Sequence, residues 1–276
     1  EDEEEDEEED EDEEELTLAE DGGDSERLDI EFTFFDPKPN DSPHIRALLQ
    51  AGTLCNAAGA NAVDLADLLS QQAAVGTVIK ADDDVFGFIS ALPLQHLRST
   101  SCVKPLLAFV NERCAQPLAK QALTALLSTK RSVGLIISER LINAPLQLVP
   151  DALDSFMQDI EWAKHNEEDH VLRAAFHFEN LLLVAAVNPA EKFGGADTEP
   201  PTKKRKAKSG DKGKAIGLDW GQLQALHFTR VDEEALAYEA EWCAVLNSSA
   251  GAKHVLALLK PETVRQMVPK LREIMC

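Results

Sequence analysis

Glu139, Glu233 and Glu234 are candidates in this 276-residue chain for general-base chemistry, which needs a carboxylate whose burial raises its pKa toward neutrality. Nothing in the sequence around them shows such burial. Ser138-Glu139-Arg140 reads instead as the start of a helix or turn whose Glu and Arg pair with each other, and no catalytic residue is assigned. His165-Asn166-Glu167-Glu168-Asp169-His170 brackets three acids with two histidines, a composition that suits a transition metal. A five-residue separation does not put both imidazoles on one helix face, however, and the HExxH spacing is absent. Asp82-Asp83-Asp84 lacks the alternating ligands and the glycine of a calcium loop and reads as a solvated turn. No GxSxG, P-loop, GxGxxG or Cys/His zinc pattern occurs, so neither a metal nor a cofactor is expected.

The chemistry of charge is more prominent. The formal net charge is -23, but Glu1 to Glu31 hold 21 carboxylates against Arg27 alone, leaving 29 acids against 26 bases in the remainder. Glu1, Asp2, Glu3, Glu4, Glu5, Asp6, Glu7, Glu8, Glu9, Asp10, Glu11, Asp12, Glu13, Glu14 and Glu15 form an unbroken polyanion. Self-repulsion and the lack of apolar surface predict disorder for it. Two readings stay open: a solubility tail, or a polyanion that mimics nucleic-acid charge and draws in a strongly basic partner at a salt-sensitive rate. Between Asn188 and Ile216 the sign reverses, and Lys203, Lys204, Arg205 and Lys206, followed by Lys208, Lys212 and Lys214, lie among Pro, Gly, Thr and Ser. This is a candidate nuclear localisation signal in a disordered loop. It has no aromatic residue to stack on bases, and direct nucleic-acid binding is not expected.

The elements that must position these groups centre on Val133-Gly134-Leu135-Ile136-Ile137, a continuous apolar run with the pattern of a strand covered on both faces. Asn143 to Pro145 closes the segment with turn chemistry. Upstream, Leu28, Ile30, Phe32 and Phe34 alternate as in a half-buried strand. Pro43 opens a helix with Ile45, Leu48 and Leu49 on its apolar face, and a second helix fits Val63, Leu65, Ala66, Leu68 and Leu69. Val75–Lys80 and Val85–Leu92 read as two strands joined at the aspartates. Helices are expected over 102–114, 117–127 and 151–164, and paired strands over 171–178 and 181–187 with a turn at Glu179-Asn180. Val231 to Ala235 starts a helix, 254–259 fits a strand, and Pro261 opens a last helix with Val264, Met267, Val268, Leu271 and Ile274 in register and Pro269 expected to bend it.

The alternation of strands and helices implies an α/β domain, one central mixed sheet covered by helices. Its expected extent is 28–276, after an acidic tail over 1–27 and interrupted by the basic loop at about 188–216. With 44% hydrophobic but only 5% aromatic residues, its core is built mainly from Leu, Val, Ile and Ala. No apolar run approaches the roughly 20 residues of a membrane span, and none reads as a signal peptide. Cys55, Cys102, Cys114, Cys243 and Cys276 are scattered without a CxxC pair, which suits a reducing compartment. A first residue other than Met suggests a fragment or a processed product.

Several stretches together resemble one family: Leu28 to Pro37 after an acidic leader, LADLLSQQAAVGTVIK at 65–80, VFGFIS at 85–90, VGLIISERLINAP at 133–145, and the lysine-rich insert ahead of Glu233-Glu234. The chain is similar in these to the BCCIP family, nuclear proteins whose human member is named for binding a breast-cancer recombination protein and a cyclin-dependent kinase inhibitor. The resemblance implies a fold like that of the GNAT acetyltransferases, used for binding without demonstrated catalysis. Acetyl-CoA binding in such enzymes needs a Gln/Arg-x-x-Gly-x-Gly/Ala loop, and the nearest stretch, Gln72 to Val78, has the wrong spacing. What the resemblance implies about function is a nuclear chaperone or escort for a basic large-subunit ribosomal protein, active in ribosome biogenesis and in nuclear export of a lipid kinase. Nuclear localisation is expected, with shuttling to the cytoplasm left open. The alternatives are an adaptor for recombination and cell-cycle proteins and, further off, a degenerate acetyltransferase using Glu139, Glu233 or Glu234.

Overall fold

The computed structural model describes residues 30–129, 131–189, 216–248 and 253–275. Its strands in chain order are β1 (Thr33–Phe35), β2 (Gly76–Ala81), β3 (Asp84–Pro93), β4 (Val133–Arg140), β5 (Asn180–Pro189), β6 (Leu226–Phe228), β7 (Trp242–Asn247) and β8 (Lys253–Leu259). The helices are α1 (Ser42–Ala51), α2 (Leu54–Ala58), α3 (Ala62–Gln71), α4 (Leu94–Leu97), α5 (Val103–Glu112), α6 (Pro117–Ser128), α7 (Leu148–Asn166), α8 (His170–Ala175), α9 (Trp220–Gln224), α10 (Val231–Tyr238) and α11 (Pro261–Met275). The sheet runs β1-β2-β3-β4-β5-β8-β7, with β6 paired to β5. Its neighbours are antiparallel except for β4 and β5, which are parallel.

The apolar run of β4 divides with period two. Leu135 and Ile137 enter the core beneath α1, α3, α5 and α6, while Ile136 enters the core beneath α7, α10 and α11. β5 and β8 split the same way, with Leu182 and Leu258 on the first face and Leu181 and Leu259 on the second. Both faces of the sheet are covered, so the central strands are apolar on both sides, as the Val133 run requires. The mixed α/β architecture expected from the sequence is the one observed.

Helix α1 buries Ile45, Leu48 and Leu49, and α3 buries Leu65, Ala66 and Leu69, although Val63 is exposed. The β2–β3 hairpin turns at Asp82, whose positive φ of 52° is one that Asp tolerates. Three expectations are corrected. Of the strand expected from Leu28, Leu28 and Asp29 lie outside the described residues, and the strand observed is Thr33–Phe35, an edge strand that pairs with Val78–Lys80. Residues 171–178 do not form a strand. Asp169 Oδ1 instead accepts from the amides of Val171 at 2.7 Å and Leu172 at 3.4 Å, and this cap starts α8. In α11, which contains Pro269, Ile274 faces solvent and Met275 takes the buried position.

Candidate functional site

β4 and β5 pair only between Val133–Leu135 and Asn180–Leu182. Beyond that point β4 stays with β3 through Arg140, and β5 stays with β8 and β6. The crevice outside the carboxyl ends of parallel strands that part in this way is the usual ligand position in an open α/β sheet. In this chain the crevice is filled by the protein's own side chains. Arg230, the residue before α10, donates from Nη1 to the Ser138 carbonyl at 2.8 Å and to Glu233 Oε1 at 3.3 Å, and from Nη2 to Glu139. Arg140 forms a two-pronged contact with Asp232, Nη1 to Oδ2 at 3.0 Å and Nη2 to Oδ1 at 2.6 Å. Glu139 is bounded on its other side by Gly52 at the end of α1, where a Cβ would stand 2.0 Å from Oε1. A methyl group at this position would force the Glu139 carboxylate to shift.

The network holds two guanidinium groups and three carboxyl groups. Asp232 and Glu233 lie in the first turn of α10, where the helix dipole favours negative charge. Burial nevertheless pushes Glu233 up to about 8, against the attraction of Arg230 and with help from Asp232 and Glu139. Burial raises Glu139 as well, and Arg230 opposes that rise. Burial alone would lower the pKa of Arg230, but Glu139 and Glu233 outweigh it and the pKa rises. Burial thus favours the protonated form of Glu233. Arg230 with Glu139 and Arg140 with Asp232 then form two pairs with no net charge, the condition under which buried ions are tolerated. The remaining cavity beside them is about 40 Å³, lined by Ile136, Leu153 and Leu183 on its apolar side. It has room for two or three water molecules. A buried carboxyl with a raised pKa has the character of a general base, but this one is enclosed and hydrogen-bonded.

These positions correct the expectation for Ser138-Glu139-Arg140. The three residues continue β4, paired with Gly87–Ile89, so Glu139 and Arg140 point to opposite faces and each finds a partner about 90 residues away. Glu234 stands apart and accepts from the Tyr238 hydroxyl at 3.0 Å. Arg230 and Asp232 were not anticipated; an Arg immediately ahead of an acidic helix start was the one available signal. Gln72 has a structural task, donating from Nε2 at 3.0 Å to the Val75 carbonyl, Ser90 Oγ and the Ala91 carbonyl. His165 Nδ1 lies 2.9 Å from the Glu161 carbonyl, and among the described residues no three His, Cys, Asp or Glu side chains converge as a metal ion requires. Cys55, Cys102, Cys114 and Cys243 are buried free thiols. Among the described residues no helix is long and apolar enough to cross a membrane. The polyanion Glu1–Glu15, the cluster Lys203–Lys206 and Cys276 lie outside the described residues.

The BCCIP family model matches residues 27–236. A protein BCCIP homolog of Arabidopsis thaliana is 34% identical over 170 residues, 59% of this chain and 51% of its own length. The protein bcp1 of Schizosaccharomyces pombe is 26% identical over 264 residues, 91% of this chain and 92% of its own. The human BRCA2 and CDKN1A-interacting protein is 37% identical over 139 residues, 45% of this chain and 44% of its own. The match thus spans about half the length of the first of these relatives and about nine tenths of the second. Among solved structures, BCP1 from Saccharomyces cerevisiae shares the fold, with a TM-score of 0.61 and 20% identity over 92% of this chain and 93% of its own. The GNATL domain of CurA from Lyngbya majuscula is more distant, with a TM-score of 0.43 and 14% identity over 84% and 98%. A family model that matches well over half of the chain carries one conclusion: the chain belongs to the BCCIP family.

Proposed function

We propose that this chain is a non-catalytic nuclear binding protein that escorts a basic large-subunit ribosomal protein during ribosome biogenesis and nuclear export. The observation that carries binding over catalysis is the filled crevice. Where an open α/β sheet usually holds its ligand, Arg230, Glu139, Glu233, Arg140 and Asp232 satisfy one another and leave about 40 Å³. The polyanion Glu1–Glu15 supports a basic partner. Its long-range field raises the encounter rate, while short-range specificity falls to the folded surface, because each exposed ion pair is worth only about 0–1 kcal/mol. Lys203–Lys206 support entry into the nucleus.

Affinity purification of the chain from its own cells, with and without Glu1–Glu15 and at two salt concentrations, tests the escort reading. Recovery of one basic ribosomal protein in near-equal amount supports it, and recovery of no stoichiometric partner at either salt refutes it. The second reading, an adaptor for recombination and cell-cycle proteins, is favoured by the names of the human and mouse relatives, each a BRCA2 and CDKN1A-interacting protein. Recovery of proteins of those classes in place of a ribosomal protein would select it.

A further inference from the structure

Trp220 in α9 is 51% exposed, and its ring lies 4.8 Å from that of Tyr238, tilted by 40°. Tyr238 in turn lies 6.4 Å from Phe228, so the half-exposed indole stands at the end of a run of three aromatic rings. Two carboxylates border this shelf. Asp219 is exposed and caps α9, accepting from the Gln222 amide at 2.8 Å, and Glu234 accepts from the Tyr238 hydroxyl at 3.0 Å. Among the described residues neither carboxylate is in an ion pair, whereas Lys270 is engaged by Glu239 at 3.0 Å. The other exposed tryptophan differs in this respect. Trp162 sits in a shallow groove beside Glu161 and Arg265, and Glu161 is already paired with both Lys164 and Arg265.

We propose that the Trp220–Tyr238 shelf, with Asp219 and Glu234, is a docking surface for a cationic segment of a partner protein. An arginine of that segment would stack on the indole face and be neutralised by the two carboxylates. Aromatic shelves attract cations through the ring quadrupole, guanidinium groups stack as well as pair, and tryptophan and tyrosine dominate the energetic centres of interfaces. The same carboxylates would repel a phosphate backbone, which argues for a basic protein over a nucleic acid. This proposal rests on the escort reading and locates its short-range contact.

The test uses the whole 276-residue chain with Glu1–Glu15 all replaced by Gln, so that the tail does not capture the probe, and a labelled peptide of alternating glycine and arginine. The peptide is expected to move the Trp220 indole N–H resonance and to leave those of Trp162 and Trp242 in place. Trp220→Ala is expected to weaken peptide affinity about 3- to 30-fold. Asp219→Asn combined with Glu234→Gln keeps the helix cap and the tyrosine acceptor while removing both charges, and is expected to weaken binding in a salt-dependent way. An unmoved Trp220 signal, or unchanged affinity in both variants, overturns the proposal. So does a Trp220 signal that shifts without peptide when Lys203, Lys204 and Lys206 are replaced by Gln, because the shelf would then belong to the chain's own basic segment. If the shelf fails while a basic ribosomal protein still co-purifies, the escort reading stands without this dock. Peptide binding at the shelf with no such partner recovered supports the dock and removes the escort reading.

Discussion

Glu233→Gln tests the account of the buried network, because Gln has the shape of the protonated side chain and cannot ionise. In the folded protein burial lifts the Glu233 carboxyl from its ordinary 4.5 to about 8, so the folded state holds this proton more tightly than the unfolded chain does. A raised pKa of this kind contributes stability that is fully present below about pH 4.5 and is lost as pH rises through about 8. Linkage over that interval gives the wild-type chain a loss of about 4 kcal/mol relative to Glu233→Gln between pH 5 and pH 9. On the order of 1 kcal/mol of it falls between pH 7 and pH 9, or about 2–4 °C in Tm for a domain of this size. The measurement is urea unfolding of both proteins at a series of pH values. The difference between them cancels other titrations, such as that of Asp159, which burial pushes up to about 6. A stability difference that stays constant from pH 5 to pH 9 would refute the assignment of a proton to Glu233.

Other perturbations address the same crevice and the tail. Arg230→Ala leaves Glu139 buried beside Gly52 without its hydrogen-bonded cation and removes a donor from the Ser138 carbonyl, so a loss of about 3–5 kcal/mol is expected in urea unfolding. Adding Glu139→Gln should recover part of that loss; a fully additive double mutant would show that the two side chains are not coupled. Gly52→Ala places a methyl group against Glu139 and should cost about 1–3 kcal/mol, relieved in a Glu139→Ala background, with equal cost in both backgrounds as the contrary result. Deleting Glu1–Glu15 should slow association with a basic ribosomal protein and flatten its salt dependence in stopped-flow measurements. An unchanged salt slope would remove the tail from the mechanism.

Local periodicity identifies the strands and helices of several segments in which one face had to be apolar. The Val133–Ile137 run, the Ile45/Leu48/Leu49 face of α1 and the hairpin at Asp82 are local patterns, because a period of 2 or 3.6 records which residues must leave water. The sequence by itself also determined the separation of charge, a polyanion at one end and a basic cluster in the interior of the chain, since composition alone carries that. Local pattern misled where capping outweighed alternation, as at Asp169 ahead of α8, and where a helix end turned outward, as at Ile274. Tertiary structure decided what Glu139 does. The residue looked free to pair with adjacent Arg140, yet strand geometry sends neighbouring side chains to opposite faces, and Arg230 reaches Glu139 only because β4 and β5 part after three paired positions. The burial that holds the Glu233 proton and the stack of Trp220 on Tyr238 have the same origin. Both depend on where α10 settles against the sheet, and that placement is the sum of many long-range contacts that no sequence spacing encodes.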